Sequence, residues 1–419
     1  MKDLRLIKEE AKKELRKKIF DPEKRNILSL ETSKSKELIS QFLDEILGRL
    51  LKRFRLELSK KEQEVLISEV ICEVVGYGGL EDLLRDPTVT DILVNSPFQV
   101  FIEKKGELER VGISFDGPEQ IRAIIERMML STSKRIDQFS PFVDFKLEDG
   151  SRVTAIIPPV SSSPSLCIRK FTGEVFYPQD LINLGTLTQK SLSFLELAVK
   201  ARLNILITGS TGAGKTTLLN TLIRFVPNNQ RMIVIEDTEE LSIPENYHFL
   251  KLLTRPPNIE GKGEITLYDL VKLSLHLRPD RIIIGEVRGE ESFYFLQAIN
   301  TGHEGSMCTL HANDAYDALA RLETLGLMAK PNIQAEVIKR LLSMGIDLIV
   351  HLKRTSRGRR VVSQVSEVVY EDQNYKIKDI VLLREKFEEN KEVLEEQFTG
   401  YIPSFREKLE VRTGQDFFK

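Results

Sequence analysis

Gly209-Ser210-Thr211-Gly212-Ala213-Gly214-Lys215-Thr216 matches the phosphate-loop pattern G-x-x-x-x-G-K-[ST] at every required position. The apolar run Ile205-Leu206-Ile207 before it reads as a buried strand. Leu218, Leu219, Leu222 and Ile223 after it form the buried face of a helix that stops at Pro227-Asn228-Asn229. The pattern needs glycines because backbone N–H groups have to wrap closely around a polyphosphate, while the helix N-terminus adds partial positive charge. Gly209 to Thr217 are therefore the candidate nucleotide-binding residues. Lys215 would reach the β and γ phosphates, and the Thr216 hydroxyl would coordinate Mg²⁺.

Short β-rich runs, Met232 to Ile235 and Arg281 to Ile284, alternate with helical stretches on either side of this loop. Such alternation predicts an α/β domain built on a mainly parallel sheet over about residues 189–419, with an antiparallel hairpin from Val350 to Tyr370 turned at Ser356-Arg357-Gly358. Upstream, about 59–175 mixes strands at Asp91 to Val94, Val100 to Ile102, Leu108 to Val111, Val153 to Ile157 and Leu166 to Phe171. A turn at Lys105-Gly106 and a helix opened by an Asp116 to Glu119 capping box complete a smaller α+β domain. Residues 176–188 read as an interdomain linker. Residues 1–58 read as a helical N-terminal extension of short, partly exposed helices, interrupted at Asp21-Pro22.

A phosphate loop needs an acidic partner at the end of a neighbouring strand. The run Ile282-Ile283-Ile284 ends in Gly285-Glu286, so the usual magnesium-binding Asp is a glycine while a Glu able to activate water remains. Glu286 is the candidate general base. The run Met232 to Ile235 ends in Glu236-Asp237, followed by Glu240, and so offers the carboxylate that Gly285 lacks; the same acids would also suit the cap of the next element. Two of the five histidines, His303 and His311, fall in Thr301-Gly302-His303-Glu304-Gly305 and Thr309-Leu310-His311-Ala312-Asn313. A neutral imidazole can donate a hydrogen bond and report a γ phosphate, although a purely structural pair fits the spacing too.

The chain has 419 residues, a formal charge of −2, three scattered cysteines and no Trp. These values exclude a disordered polyelectrolyte, a disulfide framework and a Cys-x-x-Cys zinc cluster. They argue against a nucleic-acid translocase, which would carry basic segments interleaved with aromatics. With no apolar stretch near membrane-span length, a cytoplasmic setting is expected, and the basic N-terminal helices or Arg357 to Arg360 could make a peripheral membrane contact.

The loop GSTGAGKTT, the acidic stretch IEDTEEL, the atypical RPDRIIIGEVRG and the histidine segment TGHEGSMCTLHAND, in this order, resemble the secretion ATPases of the type II and type IV family. They are most similar there to the tight-adherence (Tad) pilus assembly ATPases, the CpaF-like branch. GYGGLEDLLRDPTVTDILVN, KRIDQFSPFVDFKLEDGSRVTAIIPP and LCIRKF extend the resemblance over about residues 75–370. It implies a RecA-like P-loop NTPase C-terminal domain and a homo-hexameric ring that binds ATP with Mg²⁺ between its two domains. It further implies a motor that drives pilus assembly or secretion through an inner-membrane platform protein. The family's phosphate-approaching arginines fall on Arg152 and Arg169, with Arg135 a weaker match. Its acidic box falls on Glu236, Asp237 and Glu240, and its histidine box on His303 and His311. The tetracysteine zinc motif of many type II assembly ATPases is absent, and Cys308 stands where a small residue is expected. Archaeal filament motors and conjugative transfer ATPases share the same nucleotide chemistry.

Overall fold

The computed structural model describes residues 2–19, 32–74, 76–104, 106–130, 132, 134–171, 176–257, 261–330, 332–388 and 391–419. The chain divides into two compact units, Met1–Glu174 and Val175–Lys419.

The first unit opens with α1 (Lys2–Ile19), α2 (Thr32–Phe54) and α3 (Lys60–Val74). These helices are longer and better packed than the sequence reading of short exposed helices. Ile7, Ala11 and Leu15 of α1 bury against Ile39, Leu43, Ile46 and Leu50 of α2, and Leu66, Ile67 and Val70 of α3 close the same core. The helical part therefore runs past residue 58. The chain continues through α4 (Leu80–Arg85), β1 (Val89–Ser96), β2 (Gln99–Lys104), β3 (Glu107–Val111), α5 (Pro118–Met128), β4 (Phe142–Lys146), β5 (Arg152–Ile156) and β6 (Ser165–Arg169). The strands form an antiparallel sheet in the order β3-β2-β1-β6-β5-β4. Helix α5 lays Ile121, Ile124, Ile125 and Met128 on it, the i, i+3, i+4, i+7 stripe of a core-facing helix. Its start differs from the expected capping box. Gly117 is the N-cap, Pro118 takes the first turn, and Gln120 Oε1 accepts from the Asp116 N–H at 2.7 Å. Lys105 of the expected hairpin turn lies outside the described residues, while Lys104 pairs with Glu107 across it. Edge strand β4 escaped the sequence reading because one of its faces is open, with Phe142 63 % exposed.

The second unit runs α6 (Pro178–Asn183), α7 (Gln189–Lys200), β7 (Ile205–Gly209), α8 (Lys215–Ile223), β8 (Met232–Glu236), β9 (Phe249–Leu253), α9 (Leu267–Ser274), β10 (Arg281–Ile284) and α10 (Glu291–Asn300). Then come β11 (Met307–His311), α11 (Ala315–Ala329), α12 (Ala335–Gly345), β12 (Leu348–Arg354), β13 (Arg360–Glu371), β14 (Asn374–Glu388), β15 (Lys391–Phe398) and α13 (Arg406–Thr413). The sheet order is β15-β14-β13-β12-β7-β11-β10-β8-β9. From β12 to β9 all neighbours are parallel, and β12 to β15 form an antiparallel meander. Both faces are covered, as a parallel sheet requires. Ile205 and Ile207 pack into one core with α7 and α8, and Leu206 into the other with α9 to α12. Residues 176–188 are not a free linker. They carry α6, and Leu181 and Leu187 sit in the core of the second unit. The expected hairpin is β12 with β13. Strands β14 and β15 were missed: β14 does carry apolar residues, with Tyr375, Ile380 and Val381 in the cores, but they stand among charges, and toward β15 pairs such as Lys386 with Glu395, at 2.6 Å, run across the ladder. No helix among the described residues is long and apolar enough to cross a membrane.

Arg281, fully buried at the start of β10, ties this sheet to its surroundings. Its guanidinium donates to Gln230 Oε1 at 2.6 Å, Gly305 O at 3.0 Å and Val199 O at 2.8 Å. Arg281→Leu removes all three hydrogen bonds and leaves the buried Gly305 O without its guanidinium donor, while Val199 O keeps the Arg202 N–H, so it is expected to cost about 2 kcal/mol of stability. Guanidinium chloride unfolding followed by far-UV circular dichroism measures this; an unchanged midpoint would show that the polar cluster contributes nothing net.

Candidate nucleotide-binding and hydrolytic site

Strand β7 delivers the chain to the edge of the sheet where the loop 209–214 turns into α8. Gly209 admits no side chain, since a Cβ there would lie 2.4 Å from Leu352 O on β12. Gly214 is the helix N-cap at φ +97°, a left-handed conformation that favours glycine. Ala213 is buried, Ser210, Thr211 and Gly212 are exposed, and Thr216 and Thr217 are half-buried on the first turn of α8. Lys215 folds back over the loop. Its Nζ donates to Gly209 O at 3.0 Å and Ser210 O at 2.9 Å, and lies 3.1 Å from His311 Nδ1.

His311 ends β11, the parallel neighbour of β7 in register His311 with Gly209. An ammonium can only donate, so Nδ1 is the acceptor and Nε2 carries the proton that faces Glu286 Oε1 at 2.9 Å. Burial, with the charges of Lys215 and Arg288, holds His311 below its ordinary pKa although Glu286 pulls the other way. The neutral imidazole is therefore the favoured form. Glu286 Oε2 accepts from Arg288 Nη2 at 2.6 Å, Arg288 Nη1 lies 3.4 Å from Asp237 Oδ2, and Asp237 Oδ1 accepts from Thr254 Oγ1 at 2.6 Å. Lys215, His311, Glu286, Arg288 and Asp237 therefore form one continuous polar chain across the ends of four strands. Glu240 adds its charge, acting on both Lys215 and Arg288.

Glu236, at the end of β8, is 2 % exposed. Its Oε1 accepts from the N–H groups of Glu240 and Leu241 at 2.8 and 2.9 Å, whereas its buried Oε2 has no hydrogen-bond partner among the described residues. Burial raises its pKa. A Cβ at position 285 would lie 3.2 Å from Glu236 Cγ, so the glycine leaves the space that the Glu236 side chain uses. A carboxylate oxygen left without a partner among the described residues, and the Thr216 hydroxyl on the first turn of α8, are each hard-oxygen donors of the kind that suits a magnesium ion held mainly by phosphates. Among the described residues no three His, Cys, Asp or Glu side chains gather as a metal cage.

Not every expected residue joins this cluster. His303 precedes β11 at the opposite end from His311, and its Nδ1 lies 3.1 Å from Ala298 O at the end of α10. Arg135, Arg152 and Arg169 belong to the first unit. Arg169 pairs in register with Asp91 on one side and Arg152 on the other, and its Nε lies 3.0 Å from Asp91 Oδ1. Arg135 Nε lies 2.5 Å from Asp137 Oδ2. Cys308 is a buried small side chain, its thiol pushed up by burial. Arg288 and Glu291 were missed. Glu291 Oε1 accepts from the N–H groups of Arg288 and Gly289 at 2.5 and 2.8 Å, which sets the loop that presents Glu286. The available signal was a cation two residues after the candidate base.

A RecA-like sheet with a phosphate loop, its lysine and a histidine-bound glutamate at the adjacent strand ends defines a P-loop ATPase. A profile of the family described as "Type II/IV secretion system protein" matches residues 73–380. The chain is 35% identical over 304 residues to a putative conjugal transfer protein of Mycobacterium tuberculosis, covering 70% of this chain and 85% of that one. It is 30% identical over 325 residues to the type IV secretion system protein VirB11 of Bartonella quintana, covering 67% and 89%. In fold it is like the pilus retraction motor PilT with bound ADP, at TM-score 0.51 and 18% identity over 80% of this chain and 86% of that one. The chain belongs to the type II/IV secretion system protein family and is an ATPase of that family.

The Lys215 pKa is pushed down to about 8, chiefly by burial. The ammonium is the form that binds polyphosphate, and it is lost as pH rises through that value. ATP affinity is therefore expected to fall between about pH 7.5 and 9.5, with proton uptake on binding near pH 8.5, because bound phosphates raise the lysine's pKa again. Calorimetric titration in two buffers of different ionisation enthalpy reads the uptake; a pH-independent affinity would mean that Lys215 stays charged throughout.

Proposed function

We propose that this ATPase is the ring-forming motor, a homo-hexamer with Mg²⁺-dependent turnover, of a tight-adherence-type pilus or a related type IV secretion machine. The observation that carries the hydrolytic reading is the Glu286 carboxylate, held by His311 and Arg288 beside Lys215. In this reading Lys215 leaves the carbonyls of Gly209 and Ser210 to bridge the β and γ phosphates. Glu286 takes the proton of the water that attacks the terminal phosphate, and neutral His311 turns its N–H with the state of that phosphate. Thr216 and Glu236 would hold magnesium, which neutralises charge on the phosphate oxygens when bound. Arg152 and Arg169, with Arg135, keep the part the resemblance gives them, as guanidinium groups that neutralise the transferring phosphoryl.

The ordered motifs of residues 75–370 support the pilus assignment, and the conjugal transfer and VirB11 relatives support the secretion one. Chemical energy would pass to an inner-membrane platform protein, with the chain on the cytoplasmic side. The second reading, a transfer motor for conjugation, has the same site and differs only in partner.

Glu286→Gln is expected to keep ATP affinity within about threefold while turnover falls by about 10²–10⁴. Arg152→Ala with Arg169→Ala is expected to lower turnover without loss of ATP binding. Steady-state hydrolysis alongside light-scattering mass measures both; equal turnover of Glu286→Gln and wild type removes the base assignment, and full activity from a monomer removes the ring.

A further inference from the structure

Strand β7 has a second parallel neighbour, β12, in register Leu352 with Gly209, and the β12–β13 hairpin rises beside the phosphate loop on the side away from His311 and Glu286. Two of its arginines lie against the loop. Arg354 Nε donates to Gly212 O at 3.2 Å, and its Nη2 lies 2.9 Å from where a Cβ of residue 212 would stand. Arg360 Cδ lies 3.7 Å from the corresponding point on Gly214.

The hairpin is a fixed support. Thr355 N donates to Arg359 O at 2.8 Å and Gly358 N to Thr355 O at 2.9 Å, closing the turn. Ser356 Oγ donates to Glu385 Oε1 at 2.7 Å, pinning the turn to β14. Arg359 is turned elsewhere. It fills the space beside Gly185, where a Cβ would lie 2.4 Å from Nη2, and its Nη1 is 3.6 Å from the buried Glu392 carboxylate. The stretch Arg357 to Arg360, a candidate membrane contact in the sequence, thus turns Arg359 toward Gly185 and Glu392 and sets Arg360 at the loop.

A nucleoside triphosphate laid along the loop has two ends. Hydrolysis at Glu286 assigns the terminal phosphate to the β11–β10 side, so the chain of phosphates leaves the loop toward its only other strand neighbour, β12. We propose that Arg354 and Arg360 form the opposite wall of the nucleotide site and bind the α-phosphate and nucleoside end of a nucleoside di- or triphosphate. This rests on the hydrolytic reading above and adds the half of the site it leaves without side chains. Guanidinium is suited to the task, since its planar fork pairs with phosphate oxygens and its flat face stacks on a base or ribose edge without choosing among bases. The site would hold any nucleotide by its α-phosphate, and base preference would come from elsewhere.

The test compares ATP, ADP and inorganic pyrophosphate in calorimetric titrations of the full chain, for wild type, Arg354→Met and Arg360→Met. Pyrophosphate needs only the loop amides and Lys215. Each variant is expected to weaken ATP and ADP about tenfold and pyrophosphate by less than threefold, with KM for ATP rising in parallel. Unchanged ATP and ADP binding overturns the proposal. Equal weakening of all three also overturns it, because the arginines would then only shape the loop. Arg354→Lys and Arg360→Lys keep the stem and the charge but lose the fork; they are expected to show the same ordering, and they replace the Met variants if circular dichroism shows those to be unfolded. A wild-type chain that binds neither ATP nor pyrophosphate overturns the nucleotide reading itself, an outcome separate from variants that match an active wild type.

Discussion

Strand β7 pairs with β11 on one side and β12 on the other, and all three strands run the same way. Parallel pairing puts their C-terminal ends on one edge of the sheet, where the crevice for a ligand lies in an open α/β fold. The phosphate loop leaves β7 there, His311 ends β11 there, and the arginine hairpin leaves β12 there. Gly209 marks how tight the fit is, because Leu352 O stands where any side chain would begin. Shifting one of these strands by a single residue would turn its side chains to the other face and dismantle the site.

The electrostatics of the site follow from burial and alternation of charge. Lys215 is nearly enclosed, which weakens its hold on its proton; the neutral His311 beside it adds no second positive charge. Glu286, Arg288 and Asp237 then alternate in sign toward β8, so each charge is compensated by the next. Glu236 stands apart. Two backbone N–H groups satisfy one of its oxygens and leave the other buried with no partner among the described residues, a cost that a cation or proton would relieve. Gly285 is the space that makes this arrangement possible.

The first unit shows a different economy. Arg169 sits between Asp91 and Arg152 across three antiparallel strands, so the carboxylate offsets a pair of like charges that would otherwise face each other. The helices before that sheet bury an apolar core of their own. Lys12, itself almost fully buried, reaches Asp116 at 3.7 Å. Basic residues on these helices were open to a membrane-facing reading in sequence, yet Lys12 is committed to packing.

Sequence by itself determined what is local. The phosphate loop, its strand and helix, the parallel α/β alternation, the β12–β13 hairpin and the pairing of an acidic strand end with Glu286 all follow from contiguous residues, because a loop that cradles phosphate and a buried strand are each written in a few neighbouring positions. Tertiary structure decided what depends on strand order. It set His311 beside Lys215 and Glu286 and left His303, before β11, at Ala298 O; it linked Asp237, already a candidate in sequence, to Glu286 through Arg288, and it laid Arg354 of β12 against the phosphate loop. Half-exposed β4 and the strands β14 and β15 stayed unread for a related reason: their apolar residues are interspersed with exposed or charged ones, and which strands they pair with is a property of the sheet.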